Sequence, residues 1–233
     1  MAEQVAVLGA GMAGLGIALA LGATGREITL FDHDPPAPQG GLERAFEDWS
    51  RRGASQFRHS HAFLARLRAL IAREHPRLLQ ALRAAGAREL RFADGLSPQL
   101  LADYVPDPAD EDLAIIVSRR STFETVMRAY VESFANVRIV SEQHVTGLVL
   151  KAADDGALVA RGLALGGGEH VMADLVIDAA GRNSSVVDWL RAAGARVGEE
   201  AAPCSILYYT RFYQTHAGLG DPPRGRVAAS GDL

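Results

Sequence analysis

Cysteine is almost missing from this chain: Cys204 stands alone, which rules out an internal disulfide and fits a reducing compartment. Lysine is as scarce, Lys151 being the only one among the 24 Lys and Arg residues. Lysine-based chemistry therefore has one candidate, and its strand-like run beside the turn Asp154-Asp155-Gly156 makes solvation its expected state. There is no basic field either. The net charge of −4 argues against a nucleic-acid partner. Beyond the opening stretch no apolar run is long enough to span a bilayer, so the cytoplasm is the expected location. What is present, 48% hydrophobic and 22% charged residues over 233 positions, suffices for one large or two modest cores.

The chain is organised around its first thirty-two residues. The apolar run Val5-Ala6-Val7-Leu8 leads into Gly9-Ala10-Gly11-Met12-Ala13-Gly14, and a small-residue helix pattern follows through Leu21. A second run, Ile28-Thr29-Leu30-Phe31, ends on Asp32, 23 residues past Gly9. Strand, glycine turn, helix, strand and terminal acid together form a dinucleotide fingerprint. Gly9 makes the turn, Gly11 leaves room for a pyrophosphate, and Gly14 lets helix and strand approach. The amides near Met12 and Ala13 point at the phosphates, and the helix dipole adds about 0.3–1 kcal/mol of attraction. Asp32 is placed to accept hydrogen bonds from two ribose hydroxyls and to repel a 2′-phosphate, as FAD or NAD would require. Against a secretory or membrane helix stand Glu3 in place of a basic region and five interrupting glycines between positions 9 and 22.

Next comes a Pro- and Gly-rich loop over 33–41, a short amphipathic helix over Leu42–Trp49, and the basic stretch Arg51 to His61. By composition that stretch reads as a solvated loop whose Ser60 caps a helix over Ala62–Ala72. The competing reading turns its arginines and histidines toward an anionic or aromatic ligand. Pro76 opens a further helix, Glu89–Phe92 reads as a strand, Pro98, Pro106 and Pro108 mark a loop, and Leu113–Val117 reads as a buried strand. Ser118-Arg119-Arg120 then introduces a helix with apolar positions from Phe123 to Phe134. Short strands follow over Val137–Val140, His144–Lys151, Ala157–Ala164 and His170–Val176, giving an antiparallel meander laid over the parallel sheet. Ala173 to Asp178, the turn Ala179-Ala180-Gly181 and a helix over Val186–Ala193 repeat the strand-turn-helix pattern. Cys204–Tyr213 alternates aromatics as a strand does. After it no closing helix follows, so a truncated chain is expected.

These residues resemble the N-terminal half of a flavin-dependent monooxygenase of the p-hydroxybenzoate hydroxylase and geranylgeranyl reductase type. The first motif resembles that family's FAD fingerprint, and Val117-Ser118-Arg119-Arg120 resembles its strand-Arg-helix element, with Arg120 in the register of the cofactor-side arginine. Ile177-Asp178-Ala179-Ala180-Gly181 is similar to the Asp-Ala-Ser-Gly variant of the second cofactor motif, which assigns Asp178 and Gly181 to the cofactor. Gln56-Phe57-Arg58-His59-Ser60-His61-Ala62 is similar to a loop in epoxidase-like and polyketide-tailoring members, which turns His59 and His61 toward the flavin. Gly231-Asp232 is not preceded by the apolar strand of the family's third motif.

The resemblance implies an α/β fold with a Rossmann-like FAD-binding domain over 1–200, built on a parallel sheet with an antiparallel meander. Residues 93–110 would reach to the substrate side, and 201–233 would begin a β-rich substrate domain. It implies FAD as cofactor, NAD(P)H as donor, a small-molecule substrate, and insertion of one oxygen atom by hydroxylation or epoxidation. Two other readings stay open: a reductase or halogenase of the same fold, and a non-catalytic FAD-binding fragment. No catalytic dyad stands out, as expected when the cofactor carries the reactivity. His59 and His61 lack a third metal ligand.

Overall fold

A computed structural model describes residues 2–213 and 216. It has two compact units, one made of Met1–Phe57 and Glu124–Cys204, the other of Arg58–Phe123 with the described residues after Cys204.

In the first unit, β1 (Gln4–Leu8), β2 (Glu27–Phe31), β6 (Val137–Val140) and β10 (Leu175–Asp178) form a four-stranded sheet in the order β10-β1-β2-β6. Every pairing is parallel. β1 is an interior strand and is therefore apolar from Val5 to Leu8, all four residues being buried. Between β1 and β2 runs α1 (Met12–Leu21), whose Leu15, Ala18 and Leu19 are buried. The side-chain amide of Asn136 donates to the carbonyls of Gly22 and Arg26 at 2.9 and 2.7 Å, tying the approach to β6 to the start of β2. β7 (Val145–Ala152), β8 (Leu158–Leu165) and β9 (His170–Met172) form the expected antiparallel meander. Val145, Leu163 and Leu165 share a buried cluster with Ala6, Leu8 and Phe31, which fixes the meander on one face of the parallel sheet. α2 (Gly41–Asp48), α6 (Arg120–Glu132) and α7 (Val186–Ala192) complete the helices that this unit carries in whole or in part.

The second unit contains a three-stranded antiparallel sheet, β3-β5-β4, from Ser60–Phe63, Ile115–Arg119 and Arg88–Leu90. Its helices are α3 (Ala65–Glu74), α4 (Pro76–Ala84) and α5 (Pro98–Ala102). Residues 93–110 run through α5 and parts of two flanking 3-10 turns in this unit. Among all described residues no helix is long and apolar enough to cross a membrane.

Several boundaries differ from the sequence reading. Ser60 opens a strand rather than capping a helix, because Ala62 and Phe63 pair with Val117 and Ile116 of β5. The helix expected from Ala62 therefore starts at Ala65, with no side-chain cap. Glu89–Phe92 splits into β4 and a 3-10 turn at Phe92–Gly95. His170–Val176 is two strands, β9 in the meander and the beginning of β10 in the parallel sheet. Cys204–Tyr213 carries no strand: alternation supplies a face, but no neighbouring edge among the described residues pairs with it. Gly231-Asp232 lies outside the described residues.

Candidate cofactor site

Parallel pairing sets the C-terminal ends of β10, β1 and β2 side by side: Leu8 is in register with Asp178 on one flank and Phe31 on the other. The chain leaves this edge at three places, namely the glycine turn after β1, Asp32 after β2, and Ala179 to Gly181 after β10. Crevices outside the carboxyl ends of parallel strands are where α/β sheets hold ligands.

The glycine turn is shaped by close approach. Gly9 has φ of +97°, and its amide donates to the Phe31 carbonyl at 2.8 Å. A Cβ on Gly9 would lie 2.6 Å from the Ala179 carbonyl oxygen, so the first and third turns touch through their backbones. A Cβ on Gly14 would lie 2.0 Å from the Gly9 oxygen, which explains the glycine where helix meets turn. Gly11 differs. With φ of −79° it is unstrained, and the nearest atom to a Cβ there is Arg51 Nη2 at 3.9 Å. The fold therefore has no steric need for glycine at position 11, where the one neighbour is the Arg51 guanidinium at van der Waals distance. α1, which begins at Met12 and Ala13, has no side-chain N-cap and no acid in its first turn. A glycine that the packing does not require, at an uncapped helix start beside a guanidinium, fits a diphosphate.

Asp178 spends its carboxylate locally: Oδ1 accepts from the Ala180 amide at 3.0 Å and Oδ2 from the Ser184 hydroxyl at 2.6 Å. These bonds brace the third turn. Gly181, at φ of +81°, is exposed with open space at its Cβ position.

Asp32 is buried, and its surroundings were not legible in the motif. Its Oδ2 accepts from Arg51 Nη1, and its Oδ1 from the Asp34 amide at 3.3 Å. Arg51 also donates from Nη2 to the Ala10 carbonyl at 3.1 Å and from Nε to Glu124 Oε1 at 3.0 Å. Asp34 Oδ2 lies 3.4 Å from Arg51, and Arg128 Nη1 lies 3.6 Å from Asp32 Oδ2. Both guanidinium groups sit over the buried Trp49 ring, at 5.0 and 5.8 Å. Burial alone would loosen the proton of Arg51, but Glu124, Asp32 and Asp34 overcome it and raise its pKa. Arg128 is shifted the other way, since burial outweighs Glu132 and Asp32 and the neighbouring Arg51 adds repulsion.

Arg120, His59 and His61 come together in the second unit. The Arg120 amide donates to the His59 carbonyl at 3.0 Å, and His61 is paired with Ser118 across β3 and β5. His59 Nδ1 lies 2.8 Å from the Thr210 hydroxyl, and His61 Nδ1 lies 3.2 Å from the His59 carbonyl. The His61 ring stacks on Phe63 at 5.7 Å, and Phe63 on Phe123 at 3.8 Å. Burial lowers the pKa of His61, and the charges of Arg120 and His59 act in the same direction. Lys151 is exposed on β7, as expected.

The predicted cofactor residues thus form two groups. Gly9, Gly11, Met12, Ala13, Gly14, Asp32, Asp178 and Gly181 belong to the sheet edge of the first unit, and Arg120, His59 and His61 to the second. The sequence reading missed Arg51, Asp34, Glu124 and Arg128. A signal existed for two of them: Glu124 and Arg128 are four residues apart on α6, among the positions of its buried Phe123, Met127 and Val131.

No family model matches the chain. The protein Rv3254 of Mycobacterium tuberculosis is 27% identical over 234 aligned residues, covering 93% of this chain and 46% of its own length. The chain thus spans about half the length of that curated relative. Among solved structures, PqsL of Pseudomonas aeruginosa, described as a probable FAD-dependent monooxygenase, superposes with a TM-score of 0.56 at 17% identity, over 87% of this chain and 48% of that one. THI4 of Thermovibrio ammonificans gives a TM-score of 0.54 at 18% identity, over 83% of this chain and 64% of that one. At these identities the likeness is one of fold, and the mixed α/β architecture is the one PqsL has.

Proposed function

We propose that this chain is the FAD-binding part of a flavin-dependent monooxygenase that inserts one oxygen atom into a small organic molecule. The observation that carries the reading is the convergence of the glycine turn, the Asp178–Gly181 turn and Asp32 at one edge of the parallel sheet. The fold shared with PqsL supports it.

In this reading the amides of Met12 and Ala13 hold the diphosphate, Gly11 keeps its path clear, and Asp32 takes the adenosine ribose. Asp178 holds the third turn in shape so that the Gly181 backbone faces the cofactor. Arg120, His59 and His61, gathered in the second unit, keep the cofactor role that the family resemblance gives them, and residues 93–110 the substrate role. When bound and reduced by NAD(P)H, FAD supplies the oxygen-activating chemistry, leaving the protein to bind, orient and exclude water.

Two measurements test the proposal. An absorbance spectrum of the purified protein with added FAD should show flavin retained after gel filtration. Oxygen-dependent NAD(P)H consumption should then rise with small aromatic or olefinic substrates. Flavin that elutes entirely free contradicts the cofactor assignment, and retained flavin without oxygen-dependent turnover favours the non-catalytic reading.

A further inference from the structure

Arg51 occupies the space where two parts of a dinucleotide would meet. Its Nη2 donates to the carbonyl of Ala10, inside the glycine turn, and is the atom that faces Gly11. Its Nη1 holds Asp32 Oδ2. The other oxygen of Asp32 already accepts the Asp34 amide. With side-chain exposures of 3% for Arg51 and 4% for Asp32, the carboxylate is closed to a ribose hydroxyl while the guanidinium stays in place.

We propose that Arg51 is a displaceable plug in the nucleotide site, which leaves Asp32 for the diphosphate of the incoming ligand and so makes tight binding depend on that diphosphate. The proposal rests on the cofactor-site reading above. The anchoring of Arg51 suits such a movement. Its Nε and Nη2 are held by the fully buried Glu124, at 3.0 and 2.8 Å, on the side away from Nη1. Glu124 can therefore keep its hold while the Nη1 end turns. A guanidinium fork matches phosphate oxygens as well as it matches a carboxylate. A diphosphate at the glycine turn thus replaces what Arg51 gives up, namely the Asp32 carboxylate, the longer contact of Nη1 with Asp34 Oδ2 at 3.4 Å, and the Ala10 carbonyl. A bare nucleoside brings no anion, and its ribose meets a carboxylate already taken. Arg51 thereby becomes a specificity residue: it penalises ligands without phosphate more than it rewards those with it.

The test is calorimetric titration of the full chain with adenosine and with ADP, before and after Arg51→Gln. The substitution should tighten adenosine about tenfold and weaken ADP, narrowing the ratio between them. Adenosine binding that is unchanged or weaker overturns the plug. Failure of both proteins to bind ADP overturns the plug and the cofactor-site reading together, so the two failures are distinguishable. If circular dichroism shows that Arg51→Gln does not fold, the wild-type protein decides. The Arg51 Nε–H cross-peak, identified by its loss in Arg51→Lys, should move on saturation with ADP and stay in place with adenosine. A peak that is unmoved by bound ADP contradicts the exchange.

Discussion

Arg51 and Asp32 stand 19 residues apart in sequence and 2.5 Å apart in space, joined as a buried ion pair beside the glycine turn. Around them three acids, Asp32, Asp34 and Glu124, face two arginines, Arg51 and Arg128. The carboxylates outnumber the guanidinium groups by one, so the two signs of substitution are not equivalent.

Arg51→Met should be the damaging change. It leaves three buried acids with Arg128 as their one buried guanidinium, the exposed Arg52 and His33 lying against Asp34, and stripping one partner from a buried pair costs about 3–5 kcal/mol. Glu124→Gln instead balances the charges and keeps an acceptor for Arg51, so its cost should be nearer 1 kcal/mol. Urea denaturation of both variants checks the order, and a Glu124→Gln protein less stable than Arg51→Met contradicts it.

Gly14→Ala should destabilise the first unit although alanine favours helices. Its Cβ would meet the backbone oxygen of Gly9 at 2.0 Å, and backbone at that turn cannot yield without shifting β1 or α1. Overpacking of this kind costs about 1–3 kcal/mol, which lowers the melting temperature of a chain this size by several degrees. Thermal melting of Gly14→Ala beside the wild type measures it, and an unchanged midpoint would show that the turn has slack.

The second unit carries an acid-sensitive contact. Burial would raise the pKa of Glu89, but Arg83 and Arg68, at 2.5 and 2.9 Å, hold it below the ordinary glutamate range. A carboxyl depressed in the folded state gives stability that is present above the unfolded pKa, about 4.3, and lost as pH falls through the folded value. Glu89→Gln should therefore lower stability at neutral pH by about 1 kcal/mol and flatten its fall in acid. Denaturation curves at neutral and acidic pH compare the two proteins, and equal acid sensitivity rules out Glu89 as a source.

Much of the first unit could be read from local pattern, because β1, the glycine turn, α1 and β2 form one continuous stretch in which each residue type has a steric reason. The meander was legible through its turns at Asp154-Asp155-Gly156 and Gly166-Gly167-Gly168. Ser60 was not. Its role as the start of β3 depends on β5, more than fifty residues away, and capping chemistry gives no view of that pairing. The same limit hid Arg51. In sequence it belongs to a polar, basic loop, and its burial is fixed by Trp49 beneath it and by acids from two distant parts of the chain, Asp32 with Asp34 and Glu124. Asp32 was correctly placed at a strand end, while the guanidinium that covers it could be found only in three dimensions.

The central claim, that the glycine turn receives a dinucleotide, is tested most directly by FAD fluorescence titration of Gly11→Val. Gly11 has ordinary φ, and a Cβ there meets nothing nearer than Arg51 Nη2 at 3.9 Å, so the variant should fold with little change in melting temperature. It should nevertheless lose FAD affinity by at least about a hundredfold, because the added side chain fills the path of the diphosphate. A folded Gly11→Val protein that binds FAD as tightly as the wild type would contradict the account.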